Sequence, residues 1–163
     1  MFSALAGVVR DAGVLDLYAG SGSIGIEALS RGARRAVFVE KGREALAALR
    51  QNLAAVGFGN VSVIGQEVGE FLRTANEQFD LIFFDPPWAM GIGDLAKQMN
   101  DAGRLATEGA EMIIHRRRSD PTPSPALGWR WMTTRRYGDS AIHRYEKSSA
   151  DALDEEQDPE HNE

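Results

Sequence analysis

Between residues 13 and 115, short apolar runs rich in β-branched residues alternate with longer stretches whose apolar residues recur at helical spacing. This alternation is typical of βα units, in which each helix returns the chain to the same end of a parallel sheet. The predicted strands lie at 13–18, 36–40, 61–64, 79–84 and 110–115, and the predicted helices at 23–31, 43–56, 68–74 and 94–102. The strand at 79–84 is nearly all apolar, as expected where helices cover both faces of a sheet.

The pattern changes after residue 115, where a proline-rich stretch predicts a loop. Two further β segments, 129–137 and 141–145, flank Gly138-Asp139, and that arrangement is typical of a β-hairpin. Trp129 and Trp131 lie in the first of these segments, and we expect at least one of them in the core. We therefore predict an α/β fold with a mostly parallel, doubly wound sheet of seven strands, closed by a C-terminal antiparallel hairpin.

The composition restricts the chemistry that the chain can perform. None of the 163 residues is a cysteine, which excludes a disulfide framework, an iron–sulfur cluster and a thiol nucleophile. His115, His143 and His161 are far apart and lack metal-ligand spacing, so no metal site is predicted. No apolar stretch reaches the roughly 20 residues of a membrane span, and the N-terminus does not resemble a signal peptide. We expect a cytoplasmic protein with no membrane contact.

The net charge of −6 is unevenly distributed along the chain. Residues 148–163 contain seven acidic residues and no Lys or Arg, which leaves 17 acidic against 18 basic residues in 1–147. Nine of the basic residues lie between Arg104 and Lys147. We predict one folded domain at 1–147 and a disordered acidic tail at 148–163, because like charge and few apolar residues oppose packing.

A glycine loop follows the first predicted strand and opens a helix. Gly20, Gly22 and Gly25 satisfy the spacing of a dinucleotide fingerprint, and Glu40 follows at the end of the second strand, where an acid can bind ribose hydroxyls. This pattern fits both NAD and S-adenosylmethionine. Asp16 favours the second, because an acid ahead of the glycines would repel a pyrophosphate but suits the ammonium group of a methionine moiety.

A second motif, Asp85-Pro86-Pro87-Trp88, follows the fourth predicted strand. The two prolines fix the backbone and offer carbonyl acceptors without N–H donors. With the Asp85 carboxylate they can accept hydrogen bonds from the exocyclic amine of a planar base, while the Trp88 ring stacks on it. Both motifs fall outside the carboxyl ends of the strands, where open α/β sheets bind ligands.

Four segments are DLYAGSG at 16–22, GIEALSRGA at 25–33, FVE at 38–40 and DPPW at 85–88. Together they resemble the class I methyltransferases of the RsmD family, which are bacterial 16S ribosomal RNA guanine-N2 methyltransferases. The resemblance extends from Met1 to about Lys147. It implies a Rossmann-like class I methyltransferase fold, S-adenosylmethionine as cofactor, S-adenosylhomocysteine as product, and no metal.

The resemblance also implies roles for individual residues. Asp16 and the glycines would surround the methionine part of the cofactor, and Glu40 would bind the ribose hydroxyls. Glu67-Val68 stands where the family has Asp and a small residue against the adenine edge, and it departs from that pattern by one methylene. The implied cofactor-binding residues are Asp16, Tyr18, Gly20, Gly22, Glu40, Lys41, Glu67 and Val68. The residues implied for catalysis and base binding are Asp85, Pro86, Pro87 and Trp88.

Family members usually carry a basic N-terminal extension ahead of the segment that corresponds to Phe2–Leu5. That segment belongs to a helix in the family. This chain begins within the helix, and we expect the extension to be lacking. The implied substrate is 16S ribosomal RNA, within the small subunit or its assembly intermediate, and the protein is expected to be a monomer.

Arginines in the C-terminal half are a candidate phosphate-contacting surface. The predicted RNA-binding residues are Arg116, Arg117, Arg118, Arg135 and Arg136. Two other functions remain open at this point. One is methylation of another nucleobase amine, such as adenine N6 in RNA or DNA, and the other is a non-catalytic module that binds RNA or a nucleotide such as NAD.

Overall fold

The computed structural model describes residues 1–124 and 128–148. The predicted disordered tail at 148–163 lies outside them except for Ser148, and it stays a prediction. A 3₁₀ turn at Phe2–Leu5 precedes the regular elements. The described helices are α1 (Ala6–Val9), α2 (Ser23–Ser30), α3 (Arg43–Val56), α4 (Val68–Thr74) and α5 (Ile92–Gly103). The described strands are β1 (Gly13–Leu17), β2 (Arg35–Glu40), β3 (Val61–Gly65), β4 (Phe79–Phe84), β5 (Ala106–Arg117), β6 (Trp129–Tyr137) and β7 (Ser140–Lys147).

The seven strands form one sheet in the order β3-β2-β1-β4-β5-β7-β6. The first five strands of this order run parallel, whereas β7 pairs antiparallel with both β5 and β6. The predicted fold, a mostly parallel sheet closed by an antiparallel hairpin, is confirmed. In register, Leu17 of β1 and Ile114 of β5 both lie opposite Phe84 of β4, so these strands end at the same edge.

Two apolar cores lie on opposite faces of the sheet, because strands in a doubly wound fold are covered on both sides. On one face, α4 and α5 pack through Leu72, Leu95 and Met99 against side chains such as Leu17 and Phe84. The other face is covered by α1, α2 and α3, and its core members include Val9, Ala28, Leu49, Phe38 and Phe83. This layering leaves the carboxyl ends of β1, β2, β4 and β5 open for a site.

Local sequence explains where α2 begins. Gly22, with a φ of +86°, precedes the helix in a left-handed conformation that glycine adopts without strain. A Cβ on Gly25 would lie 2.3 Å from the Phe38 ring, so the close approach of α2 to the sheet requires glycine. The sequence therefore fixes α2 tightly against the end of β1.

The elements differ from the predicted ones at β5 and in the hairpin. β5 starts four residues before the predicted strand, because polar Glu108 and Gly109 interrupt the apolar run from which the prediction was made. Trp129 is buried and Trp131 is 47% exposed, which confirms that one of these two Trp residues is in the core. No helix in the described part of the chain is long and apolar enough to cross a membrane.

Candidate active site

Glu40, the last residue of β2, joins the glycine loop to the loop that precedes α3. Its Oε2 atom accepts a hydrogen bond from Gly20 N at 2.9 Å, and its Oε1 atom accepts one from Gly42 N at 2.7 Å. Gly20 adopts a φ of +58°, which turns its N–H toward this carboxylate. The predicted acid and the predicted glycine loop are therefore in direct contact.

Asp16 is buried at the carboxyl end of β1, where its Oδ2 atom accepts a hydrogen bond of 3.0 Å from Gly25 N. Burial raises the pKa of the Asp16 carboxyl to about 8; the Gly25 N–H opposes this shift, and the negative charges of Asp85 and Glu40 reinforce it. Three carboxyl groups thus converge at the ends of β1, β2 and β4. The negative charges of Glu40 and Asp85, and that of Asp16 once it is ionised, favour a cationic ligand and oppose a pyrophosphate.

A cavity of about 350 Å³ opens beside these carboxyl groups. Its lining brings together five predicted cofactor residues, which are Tyr18, Glu40, Lys41, Glu67 and Val68. Asp85 and Pro87 also line it, so the cavity reaches the second predicted motif. Gln66 and Met90 complete the lining and were not predicted. We name this space, with its lining residues, the cofactor cavity.

Tyr18 and Glu67 are held by neighbouring elements rather than free in the cofactor cavity. Tyr18 has a φ of +59°, which is uncommon for a side chain of its size, and its hydroxyl donates to Gln98 Oε1 at 2.7 Å. Burial raises the pKa of Tyr18, with contributions from Glu67 and Asp94, and the Gln98 hydrogen bond lowers it. Glu67 caps α4, because its Oε2 atom accepts a hydrogen bond of 3.1 Å from Glu70 N. One oxygen of the predicted adenine-contacting acid is thus engaged by the helix.

Asp85 is held by His115, a residue for which the sequence predicted no role in the site. His115 Nδ1 lies 2.8 Å from Asp85 Oδ1, and His115 Nε2 lies 2.9 Å from Ser140 Oγ. The parallel register explains the contact, because Ile114 lies opposite Phe84 and the next residues on both strands are therefore neighbours. That register was the signal that could have identified His115. Ser140 lies in the hairpin, and no feature of the sequence predicted its contact with His115.

Arg116 differs from the role predicted for it. The residue is 4% exposed, and its guanidinium donates to the Pro87 carbonyl at 3.3 Å and to the Met90 carbonyl at 3.0 Å, with Asp120 Oδ2 at 3.0 Å. Its place in β5 turns it to the face opposite that of His115 and under the loop that follows the Asp85 motif. Arg116 therefore fixes the backbone of this loop and is not on the surface where phosphate could reach it.

Trp88 lies outside the cofactor cavity. Its ring is 45% exposed, stands edge-on to the His115 ring at a centroid distance of 6.5 Å, and carries the Arg117 guanidinium 5.1 Å from its centre. With Arg117, Arg118, Ser119 and Asp139 it lines an open cleft of about 760 Å³. Pro86 is buried, whereas Pro87 is exposed. The predicted motif is therefore divided, with Asp85 and Trp88 facing different spaces.

The remaining predicted RNA-binding arginines are exposed but do not share one face. Arg117 and Arg118 lie at the carboxyl end of β5, at the same edge of the sheet as Asp85. Arg135 and Arg136 lie opposite Ile142 and Ala141, and as consecutive strand residues they point to opposite faces. Within the described residues, no group of three His, Asp or Glu side chains is placed to hold a metal ion.

The strand order, the glycine loop after β1, the acid at the end of β2 and the Asp-Pro-Pro-Trp turn after β4 together define a class I methyltransferase. The family described as Conserved hypothetical protein 95 matches residues 1–146. The chain belongs to this family, the RsmD family. A curated relative, Ribosomal RNA small subunit methyltransferase D from Escherichia coli (strain K12), is 31% identical over 150 residues, which cover 91% of this chain and 75% of the relative.

Solved structures agree with this assignment of fold. One described as the putative methyltransferase yhhF from Escherichia coli has a TM-score of 0.83 and 29% sequence identity, and the match covers 91% of this chain and 84% of that chain. A putative SAM-dependent methyltransferase from Streptococcus mutans has a TM-score of 0.78 over 88% of this chain and 46% of that chain. Its identity is 14%, so this likeness shows the fold alone.

Proposed function

We propose that this protein transfers a methyl group from S-adenosylmethionine to the exocyclic N2 of a guanine in 16S ribosomal RNA. The observation that carries the proposal is the cofactor cavity, whose lining includes Glu40, Asp85 and Pro87, together with the buried Asp16 carboxyl whose pKa the charges of Asp85 and Glu40 help to raise. A ligand with a sulfonium and an ammonium group matches this charge. Membership of the RsmD family supports ribosomal RNA as the substrate.

The residues of the cofactor cavity fit S-adenosylmethionine as follows. Asp16 would receive the ammonium group, and the Glu40 carboxylate, already fixed by Gly20 and Gly42, would accept from the ribose hydroxyls. Glu67, whose second carboxylate oxygen carries no hydrogen bond to α4, and the backbone of Val68 would contact the adenine edge. These assignments use the same residues that the sequence predicted.

S-adenosylmethionine, when bound, supplies a methyl group that carries its own leaving group as a neutral thioether. The residues of the chain then have to position and desolvate the amine. The Asp85 oxygen that is not engaged by His115 would accept one N–H of the guanine amine, and the Pro86 carbonyl would accept the other. These two acceptors favour a pyramidal amine whose lone pair points at the methyl group. The proton that N2 loses passes to Asp85 or to water.

The exposed arginines and the relative's name support the part of the proposal that concerns RNA. We infer that Arg117, Arg118, Arg135 and Arg136 contact phosphate at different places along a folded RNA. The substrate is 16S ribosomal RNA within the small subunit or its assembly intermediate. The protein acts as a cytoplasmic monomer.

The test is methyl transfer to small ribosomal subunits that lack the modification. Labelled S-adenosylmethionine and the purified protein are incubated with the subunits, and the nucleosides are then separated and the modified position is mapped. We expect N2-methylguanosine at one position. Label in N6-methyladenosine would favour the alternative nucleobase, and an absence of transfer together with tighter calorimetric binding of NAD than of S-adenosylhomocysteine would favour a nucleotide-binding module.

A further inference from the structure

A second cavity, of about 390 Å³, lies on the other side of Asp85. Asp85 lines both this space and the cofactor cavity, and it is the residue that the two linings share. The other lining residues come from the first helices, the ends of β4 and β5, and the hairpin. They are Met1, Ile24, Phe83, Phe84, Ile113, His115, Tyr137 and Ile142. We name this space the acceptor cavity.

The acceptor cavity has an apolar floor and a polar end. Ile24, Ile113 and Ile142 contribute aliphatic surface, and Asp85 with His115 forms the polar end. A planar ring with hydrogen-bonding groups along one edge matches this division. The volume also falls within the roughly 300–1,000 Å³ that is typical of small-molecule sites.

Tyr137 forms the outer wall of this cavity. It is the last residue of β6, lies opposite Ser140 across the hairpin turn, and is 51% exposed. Ser140 holds His115, and His115 holds Asp85, so the Tyr137 ring stands beside a chain of contacts that ends at the candidate catalytic carboxylate. An exposed aromatic ring next to an apolar cavity is suited to stack on a base.

The alternative stacking residue, Trp88, is less well placed. Its ring carries the Arg117 guanidinium, and it lines the cleft formed with Arg117, Arg118, Ser119 and Asp139 rather than either cavity that Asp85 lines. A base could stack on the face of Trp88 that carries the Arg117 guanidinium only by displacing Arg117. The acceptor cavity, in contrast, is lined by Asp85 itself.

We propose that the acceptor cavity binds the methyl-accepting base, flipped out of the RNA, with Tyr137 stacked on the ring and Asp85 bound to its exocyclic amine. This inference rests on the proposed function, since it names where that substrate lies. An amine bound to Asp85 there faces the cofactor cavity, because the two spaces meet at this residue. Enzymes that act on a base extrude it into such a pocket between aromatic and apolar side chains.

The test compares three aromatic residues by truncation. Tyr137→Ala removes the proposed stacking wall, Trp88→Ala removes the alternative, and Trp131→Ala is the matched control, an exposed ring on the same strand that lines neither cavity. Tyr137→Phe keeps the ring without the hydroxyl. For each variant we would measure kcat and KM for the RNA, binding of S-adenosylhomocysteine by calorimetry, and the thermal midpoint.

We expect Tyr137→Ala to lower kcat/KM for RNA roughly ten- to hundredfold, as the loss of one stacked base predicts, with unchanged binding of S-adenosylhomocysteine. Tyr137→Phe should retain activity within about twofold, and Trp131→Ala should match the wild type. A large loss in Trp88→Ala with none in Tyr137→Ala would overturn the proposal in favour of Trp88. Equal losses in Tyr137→Ala and Tyr137→Phe would overturn stacking as the cause.

Wild-type activity separates this proposal from the proposed function. If wild-type protein methylates the subunits and Tyr137→Ala does so equally well, the acceptor cavity is wrong and the methyltransferase function stands. If the wild type binds S-adenosylhomocysteine but methylates no nucleic acid, the proposed function fails and the acceptor cavity fails with it.

Discussion

The residues that would bind the cofactor and those that would bind the base are assembled in different ways. Asp16, Gly20, Glu40 and Glu67 each lie at the end of a strand or within a few residues after it, and the three carboxylates among them accept hydrogen bonds from nearby backbone N–H groups. We call this the cofactor half. The base half instead consists of side chains from distant parts of the sequence, namely Asp85, His115, Tyr137 and Ser140, which contact one another directly or line the acceptor cavity.

The difference indicates how each half responds to change. In the cofactor half, truncating a side chain removes its contacts with the ligand. The loop conformation is kept, because glycine geometry also sets it. In a half that is fixed by side chains, each residue orients the next, so a substitution at one position displaces its neighbours. We therefore expect cofactor affinity and turnover to separate cleanly when the two halves are altered one at a time.

The largest effect is expected for Asp85→Ala. Loss of the acceptor that would hold the amine should lower turnover by roughly two to three orders of magnitude, in the range for removal of a transition-state hydrogen bond. Binding of S-adenosylhomocysteine should stay close to normal. Single-turnover kinetics and calorimetry provide the two readouts, with Asp101→Ala on α5 as a surface control. An equal loss of cofactor affinity would show that Asp85 belongs to the cofactor half.

Glu40→Ala should produce the converse result. A charged acceptor of hydrogen bonds is worth about 1.5–3 kcal/mol, so affinity for S-adenosylhomocysteine should fall roughly ten- to hundredfold. Glu44→Ala, at an exposed acid in the first turn of α3, is the matched control. Calorimetry checks both variants. If Glu40→Ala binds as tightly as the control, the ribose contact is misassigned.

Asp16 makes the cofactor half sensitive to pH. Its raised pKa of about 8 means that the carboxyl is mostly neutral at pH 7 in the free protein, whereas an ammonium ligand favours the ionised form. Binding should therefore release a proton, and affinity for S-adenosylhomocysteine should rise about tenfold per pH unit from pH 6 toward 8 and then level off. Calorimetry in two buffers of different ionisation enthalpy measures the proton release. A flat pH profile in the wild type, equal to that of Asp16→Asn, would refute the role of Asp16.

The smallest effect is expected at His115, which positions Asp85. His115→Ala removes one hydrogen bond to the carboxylate, worth about 1–1.5 kcal/mol, so turnover should fall about five- to tenfold. His115→Asn keeps a donor near the position of Nδ1 and should recover part of that loss, while binding of S-adenosylhomocysteine is unchanged in both. Steady-state kinetics on RNA gives the comparison. If Asn and Ala behave alike, the contact between His115 and Asp85 does not support turnover.

The sequence allowed more of the cofactor half than of the base half to be predicted, and the reason is local geometry. Glu40 was predicted because it ends a strand that apolar periodicity locates, and the resemblance to the RsmD family implied Tyr18 and Val68, which lie next to a strand end and a helix start. His115 required the register between β4 and β5, which periodicity alone does not provide. Tyr137 and Ser140 depend on how the hairpin folds back over β5, which is a tertiary arrangement.

The run Arg116-Arg117-Arg118 is a second case in which the sequence pattern did not predict the position of a side chain. A cluster of charges in a sequence usually marks a solvated surface, but Arg116 and Arg117 end a strand, in which neighbours alternate between faces. Arg116 turns toward the loop after β4 and finds two carbonyl acceptors there, whereas Arg117 turns toward Trp88. Arg117 and Arg118 are exposed, so their contact with phosphate stays a prediction, whereas an exposed position is wrong for Arg116, which the strand buries.

The position of β7 between β5 and β6 has a consequence for biosynthesis. β6 leaves the ribosome first, yet its hydrogen bonds in the sheet are to β7, so it has no strand to join until the chain has been made to about Lys147. The cofactor half, whose residues all precede residue 69, is translated well before β7. Termination within the hairpin would leave the edge of β5 unpaired, with backbone N–H and C=O groups that invite aggregation. We therefore expect a chain that is truncated in the hairpin to aggregate rather than to persist as a soluble protein that binds the cofactor.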